Sequence, residues 1–305
     1  MPGNNGRANQ LSIWVITAML GPILFFSKGN WFDTLAVSLA LSVATGCAVR
    51  YGKHWNGPIY NIVQLIWLAL ILTHFLGYSS DCWPTGDRTF PVIPLTLLIL
   101  AAASSIKGYD ATANGMSIVF WMGLFLIGVV FVAGLWNIKP VNLYPKTQNI
   151  DAQTMLVFML PGAVGLIKDN KFRLKASAAI MILAAVIPAW IAGILSPVIA
   201  MQVKWPFYEA AKTVALFDVA KRFEALVSVG VTLCNYALYS LLLCAAASIG
   251  RRFGKTREAV VICVGISASL MLLGTSIKPE ILLVLSVIFW VILPLFGILS
   301  KNKNE

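Results

Sequence analysis

The chain has 305 residues, of which 59% are hydrophobic and only 11% charged, with a mean hydropathy of +0.82. A water-soluble domain carries roughly 25% charged residues, so this composition excludes an ordinary soluble protein and places the chain in the membrane class. The formal net charge of +11 does not point to nucleic acid, because Lys and Arg sit in short loops between apolar blocks, where they act as a topology signal.

Ten apolar segments run along the chain, at about 11–27, 34–49, 58–78, 90–107, 116–137, 153–168, 174–203, 223–249, 258–276 and 279–300. Each approaches the length a bilayer requires at 1.5 Å of rise per residue. A backbone in hydrocarbon must satisfy its own hydrogen bonds, so the segments are expected to be helices. The first lacks a basic start and a small-residue cleavage site and reads as a retained helix, not a signal peptide. Alternating the loops splits the cations fourteen to nine, and the dense clusters at 168–175 and 251–257 fall on the richer side. That bias predicts both termini on the cytoplasmic face.

The first segment, "QLSIWVITAMLGPILFF", carries Gly21-Pro22 in its middle. The sixth, "QTMLVFMLPGAVGLI", carries Pro161-Gly162. Proline removes a backbone donor and glycine disfavours helix, at about 3 and 1 kcal/mol respectively. A single such break reads equally as a kink. Matched breaks in segments one and six fit two repeats of five helices, in opposite orientation because five is odd, with a ligand site between the broken helices. Gly21, Pro22, Leu160, Pro161 and Gly162 are therefore candidate substrate-binding positions. Half-helix ends offer partial positive charge to a carboxylate and carbonyls to an amine, a combination suited to an amino acid.

Polar residues on two other segments are candidates for the same cavity: Tyr60 and Asn61, with Gln64, on segment three, and Asn235, Tyr236 and Tyr239, with Thr232, on segment eight. Interhelical hydrogen bonding is the alternative role for each. No Asp, Glu, Lys or Arg lies deep in any segment, which argues against steep proton coupling. His74 reads as an interfacial side chain. Catalytic motifs and carboxylate pairs are absent, so no enzyme is expected. With two histidines, His54 and His74, and five cysteines without metal spacing, neither metal nor cofactor is expected. Between segments seven and eight, "KWPFYEAAKTVALFDVAKRFEAL" alternates as an amphipathic helix, with Val214, Leu216, Phe217, Val219 and Phe223 as its apolar positions. It reads as either a surface connector or a lid.

That run, continuing through "VSVGVTLCNYALYSLL", resembles the spore-germination permeases, the integral-membrane B subunits of nutrient germinant receptors. The resemblance is carried by Arg222, Glu224 and Ala225, by Gln10, Leu11 and Gly21 in the first segment, by the turn at Gly108 and Asp110, and by Leu160 and Pro161. Thr154 and Asn114 stand where that family tends to have an acidic residue and an arginine. The family belongs to the amino acid–polyamine–organocation superfamily. The resemblance implies one polytopic domain over 1–305, all-α, with about ten transmembrane helices in a five-plus-five inverted repeat (about 10–137 and 150–300) and broken helices one and six. An outer amphipathic stretch would cover 204–222. It further implies a receptor subunit in the inner spore membrane that senses a small nutrient, with a larger membrane subunit and a lipoprotein as partners. Arg222 and Glu224 would latch the outer helix to the bundle. The alternative function is a stand-alone amino-acid permease.

Overall fold

Apolar blocks of this length leave the backbone one option in lipid, and every regular element among the described residues is helical. The computed structural model describes residues 4–51, 57–80, 91–144, 150–167, 174–214, 223–275 and 277–295. In chain order the helices are α1 (Asn4–Phe26), α2 (Trp31–Tyr51), α3 (Pro58–Ser80), α4 (Val92–Lys107) and α5 (Tyr109–Gly134). They continue with α6 (Ala152–Met159), α7 (Leu174–Leu195), α8 (Pro197–Gln202), α9 (Pro206–Thr213), α10 (Phe223–Arg252), α11 (Thr256–Leu272) and α12 (Pro279–Val287). A 3₁₀ segment, Leu160–Leu166, follows α6 directly, and a π-helical turn, Ile288–Ile292, follows α12.

The described parts of the ten apolar segments are mostly helical. Among the described residues, six helical stretches are long and apolar enough to cross a membrane, from Asn9–Phe26 to Ala225–Arg252, and three shorter apolar helices accompany them. The chain is a multi-pass membrane protein.

Helix α10 is the hub. Its apolar span is 72% buried, against 28% for that of α5, which turns Trp121, Phe125 and Val132 outward as a lipid-facing surface. Around α10 pack α1, α3, α4, α5 and α11. Small residues permit the closeness: Ala237, Ala245, Ala246 and Ala247 are all buried. Side chains from the neighbours then reach backbone carbonyls across each seam. Trp14 Nε1 donates to the Ala237 carbonyl at 2.9 Å, and Ser105 Oγ donates to that of Ser240 at 3.3 Å. On the far side of α3, Ser267 Oγ on α11 donates to the Ala69 carbonyl at 2.9 Å. Between α4 and α5 the single residue Gly108 turns the chain at φ 108°, a conformation that strains any side chain, and Asp110 follows in the first turn of α5.

The expected break in the first helix is not there. Helix α1 runs unbroken through Gly21 and Pro22, and beyond them the Ser27 amide still donates to the Ile23 carbonyl at 3.1 Å. Pro22 forfeits only the bond its own amide would have made to Ala18, and the apolar residues Ile23, Leu24, Phe25 and Phe26 that follow keep the helix. The sixth segment does change at Leu160, from α to 3₁₀. Segment seven is two helices, α7 and α8, separated at Ser196. The amphipathic helix is shorter than its sequence pattern suggests. It spans Pro206–Thr213 and buries Pro206, Phe207, Ala210 and Ala211, so Val214 lies past its end and residues 215–222 fall outside the described set.

Helix α9 is seated by an aromatic clasp. The Trp190 ring of α7 clusters with Phe131 (centroids 4.8 Å apart, stacked) and Phe207 (5.1 Å), which also meet each other at 6.1 Å, while its indole nitrogen donates to the Phe131 carbonyl at 3.1 Å. Gly134 makes room for it: a Cβ there would stand 2.4 Å from the Trp190 ring. Gly134→Val is therefore expected to lower the thermal midpoint of the purified protein in detergent, by the about 1–3 kcal/mol typical of overpacking. Gly128→Ala, whose Cβ would meet nothing within 4 Å, does not lower the midpoint and raises it by the equivalent of up to about 1 kcal/mol of helix propensity.

Candidate functional site

In the 3₁₀ segment a membrane helix gives up its α-helical bonds inside the core. Leu160, Pro161, Gly162, Ala163, Val164 and Leu166 are all buried. The pattern Pro161-Gly162-Ala163-Val164-Gly165 explains it. Proline interrupts the α ladder at its own amide, and two glycines follow that do nothing to restore it. The segment packs against α2, α10 and the π turn after α12. Gly162 faces Trp290, and a Cβ at 162 would lie 2.6 Å from that of the tryptophan. The break is thus filled by an indole, where the sequence suggested a hollow.

Gly21 and Asn235 are brought together. A Cβ at Gly21 would fall 2.9 Å from Cys234 Cβ and 3.0 Å from Asn235 Oδ1, so α1 and α10 touch almost backbone to backbone at this level. Pro22 is buried beside it, and Tyr236 is half-buried at the edge of the core. Tyr239 is fully buried, its hydroxyl 2.5 Å from Ser79 Oγ and 3.3 Å from the Phe75 carbonyl. It acts as an interhelical tie between α10 and α3. Thr232 bonds within its own helix, to the Ser228 carbonyl at 2.7 Å.

One end of the bundle is tied by α1, α3 and α6. The Phe26 carbonyl, left without a helical donor at the end of α1, accepts from Thr154 Oγ1 at 3.1 Å. Lys28 pairs with Asp151, and Gln153 donates to the Tyr78 hydroxyl. Beneath these ties Phe26 meets Tyr78 edge to face at 4.6 Å, and His74 meets the same ring at 4.9 Å. His74 is 9% exposed, so the expectation of an interfacial histidine is corrected: it is packed among the rings that close this end.

The opposite end is tied by Arg252, the last residue of α10. Its guanidinium donates to Asn61 Oδ1 on α3 at 3.1 Å and to the carbonyl of Leu166, where the 3₁₀ segment ends, at 3.4 Å. A charged donor here caps a carbonyl that has no helical partner. Asn61 is thereby committed to Arg252. Tyr60 and Gln64, its neighbours on α3, make no hydrogen bond of ordinary geometry, although Gln64 is fully buried.

Sequence reasoning placed Gly21 and Asn235 in the lining of one cavity, and the structure brings them into direct contact; it did not single out Arg252 or Trp290. Arg252 was hidden in a basic cluster that reads as a topology signal. For Trp290 no local signal exists, since an indole in an apolar run looks like core. Arg222 lies outside the described residues, and of Glu224 only its place in the first turn of α10 is described. Among the described residues no three His, Cys, Asp or Glu side chains gather as a metal site.

Arg252→Met is expected to lower the thermal midpoint by the equivalent of about 1.5–3 kcal/mol, the range for hydrogen bonds to a charged group. Lys255→Met, in the same cluster but exposed, serves as the control and leaves the midpoint in place. In comparisons with known proteins, no family model and no curated protein matches this chain.

Proposed function

We propose that the chain is the integral-membrane, nutrient-sensing subunit of a spore germinant receptor, folded as a five-plus-five inverted repeat. In this reading α1–α5 form one repeat. The other consists of α6 with its 3₁₀ segment, then α7, α10, α11 and α12. A small nutrient, an amino acid, binds beside the unwound half of α6, near Gly21 and Asn235, and shifts the bundle between two states. A larger membrane subunit and a lipoprotein in the inner spore membrane convert that shift into germination.

The observation that carries the repeat is the pattern of helix pairing. Helix α1 packs on α5 as α6 packs on α12, and α1 packs on α7 as the 3₁₀ segment packs on α2. Likewise α3 packs on α11 as α10 packs on α4. Four further pairs, α1 with α6, α2 with α7, α3 with α10 and α4 with α11, join equivalent helices to each other. These pairs are what a two-fold axis in the membrane plane would produce, although the packing of α10 on α1 and on α5 has no comparable counterpart between α3 and α6 or α12. Of the two first helices, only α6 is unwound. This makes the α6 half the mobile partner and α1, seated on α10, the fixed one.

A ligand moves such an equilibrium only through its differential affinity for the two states, and reversing a 1:99 population takes about 5.5 kcal/mol. The ties that a nutrient would have to exchange are the ones at the two ends of α3, from Tyr78 and Ser79 at one to Asn61 at the other.

The reading is tested with spores that lack this gene, screened against single amino acids and sugars. Loss of the response to one nutrient class, restored by the wild-type chain, is the expected outcome. Unaltered germination across the panel contradicts it. A chain that accumulates labelled amino acid when expressed without partners establishes the permease instead.

A further inference from the structure

We propose that the Arg252 end of the bundle contains a second binding site, for a small carboxylate, built on one face of α3 and sharing only the 3₁₀ segment with the nutrient site beside Gly21.

Tyr60, Gln64 and Trp67 follow one another at helical spacing and share one face of α3. The Tyr60 hydroxyl and the Gln64 amide face each other without a bond of ordinary geometry, and the Trp67 indole nitrogen has no hydrogen-bond partner among the described residues. Gln64 is 0% exposed and Trp67 2%. A second such indole nitrogen, that of Trp290, sits on the π turn after α12 and is fully buried.

These groups belong to one enclosure. The Trp67 ring lies 6.0 Å from that of Phe289, the residue before Trp290. Trp290 in turn packs on Gly162 in the 3₁₀ segment. Arg252 links the far end of that segment, at Leu166, back to Asn61, the residue after Tyr60. These contacts link α3, the π turn, the 3₁₀ segment and α10 in a circuit, and Gln64 is fully buried one turn from both Tyr60 and Trp67.

The chemistry of the lining selects the occupant. Buried polar groups are nearly always satisfied, and a cluster of them left open in apolar surroundings points to something absent from the protein itself. Donors predominate: the Gln64 amide nitrogen, two indole N–H groups and the Tyr60 hydroxyl, with the Arg252 guanidinium at the rim. No acidic side chain is among them. A carboxylate presents two oxygens with about four acceptor positions, matching these donors, with the Arg252 guanidinium nearby. The π turn contributes by re-aiming Trp290, since a π insertion shifts the register of the side chains that follow it.

The test uses the purified full-length chain in nanodiscs with sodium acetate as probe, against sodium chloride at equal ionic strength. Acetate is expected to raise the thermal midpoint saturably, with saturation-transfer NMR detecting its methyl protons on the protein, while chloride does neither. Trp67→Phe and Trp290→Phe keep the ring and remove one donor each, and each weakens acetate binding about tenfold. Gln64→Leu abolishes it. The proposal is overturned if acetate and chloride act alike, if acetate binds the two Trp→Phe variants as well as the wild type, or if acetate has no effect while Gln64→Leu stabilises the chain. The last result means that the stripe holds water or nothing. None of these readouts involves germination, so the outcome stands apart from that of the receptor assignment.

Discussion

Hydrocarbon offers no water to a backbone, and that constraint decides where this chain is allowed to be irregular. The 3₁₀ segment at Leu160–Leu166 survives because protein encloses it on every side that the bilayer would otherwise touch. Trp290 covers it at Gly162, and Arg252 caps it at Leu166. The rest of the bundle arranges itself to make that enclosure possible. A central α10 with small residues lets α1 come within backbone distance at Gly21, and the outer helices then take the lipid-facing positions.

The two ends of α3 are held by different chemistries. At one, aromatic rings and hydroxyls connect α3 to α1, α6 and α10 through Phe26, Tyr78, Ser79 and Tyr239. At the other, a single guanidinium joins α3 to α10 and to the unwound segment. Between them, Ser267 of α11 ties the middle of α3 at Ala69, and the polar atoms of Gln64 and Trp67 make no hydrogen bond of ordinary geometry among the described residues. An inward face of this kind is suited to hold a solute.

The helices were legible because hydrophobic block length is dictated directly by the solvent, and the described parts of the apolar segments are mostly helical. Breaks were less legible, for a local reason. Gly21-Pro22 and Pro161-Gly162 look alike as dipeptides, yet their order and sequel differ. After Pro22 come Ile, Leu and two Phe, which sustain a helix at the loss of one bond. After Pro161 come Gly162 and Gly165, which do not. Candidate site residues were found where polar groups stood out on apolar helices: Asn61, Gln64, Asn235 and Tyr239. Their partners were not. Ser79, Trp290 and Arg252 become visible only when distant segments meet, and no spacing within one segment announces such a meeting.

The first apolar segment is a whole helix, whereas the sixth unwinds at Leu160. Amide hydrogen exchange in nanodiscs, resolved to single residues, measures this directly. Residues 160–167 and 19–26 are similarly buried, so burial alone predicts similar protection. The account predicts that amides of 160–167 exchange markedly faster than those of 19–26, because 3₁₀ bonds are weaker than the α bonds of an uninterrupted helix. Equal protection of the two stretches, or faster exchange around Pro22, contradicts it.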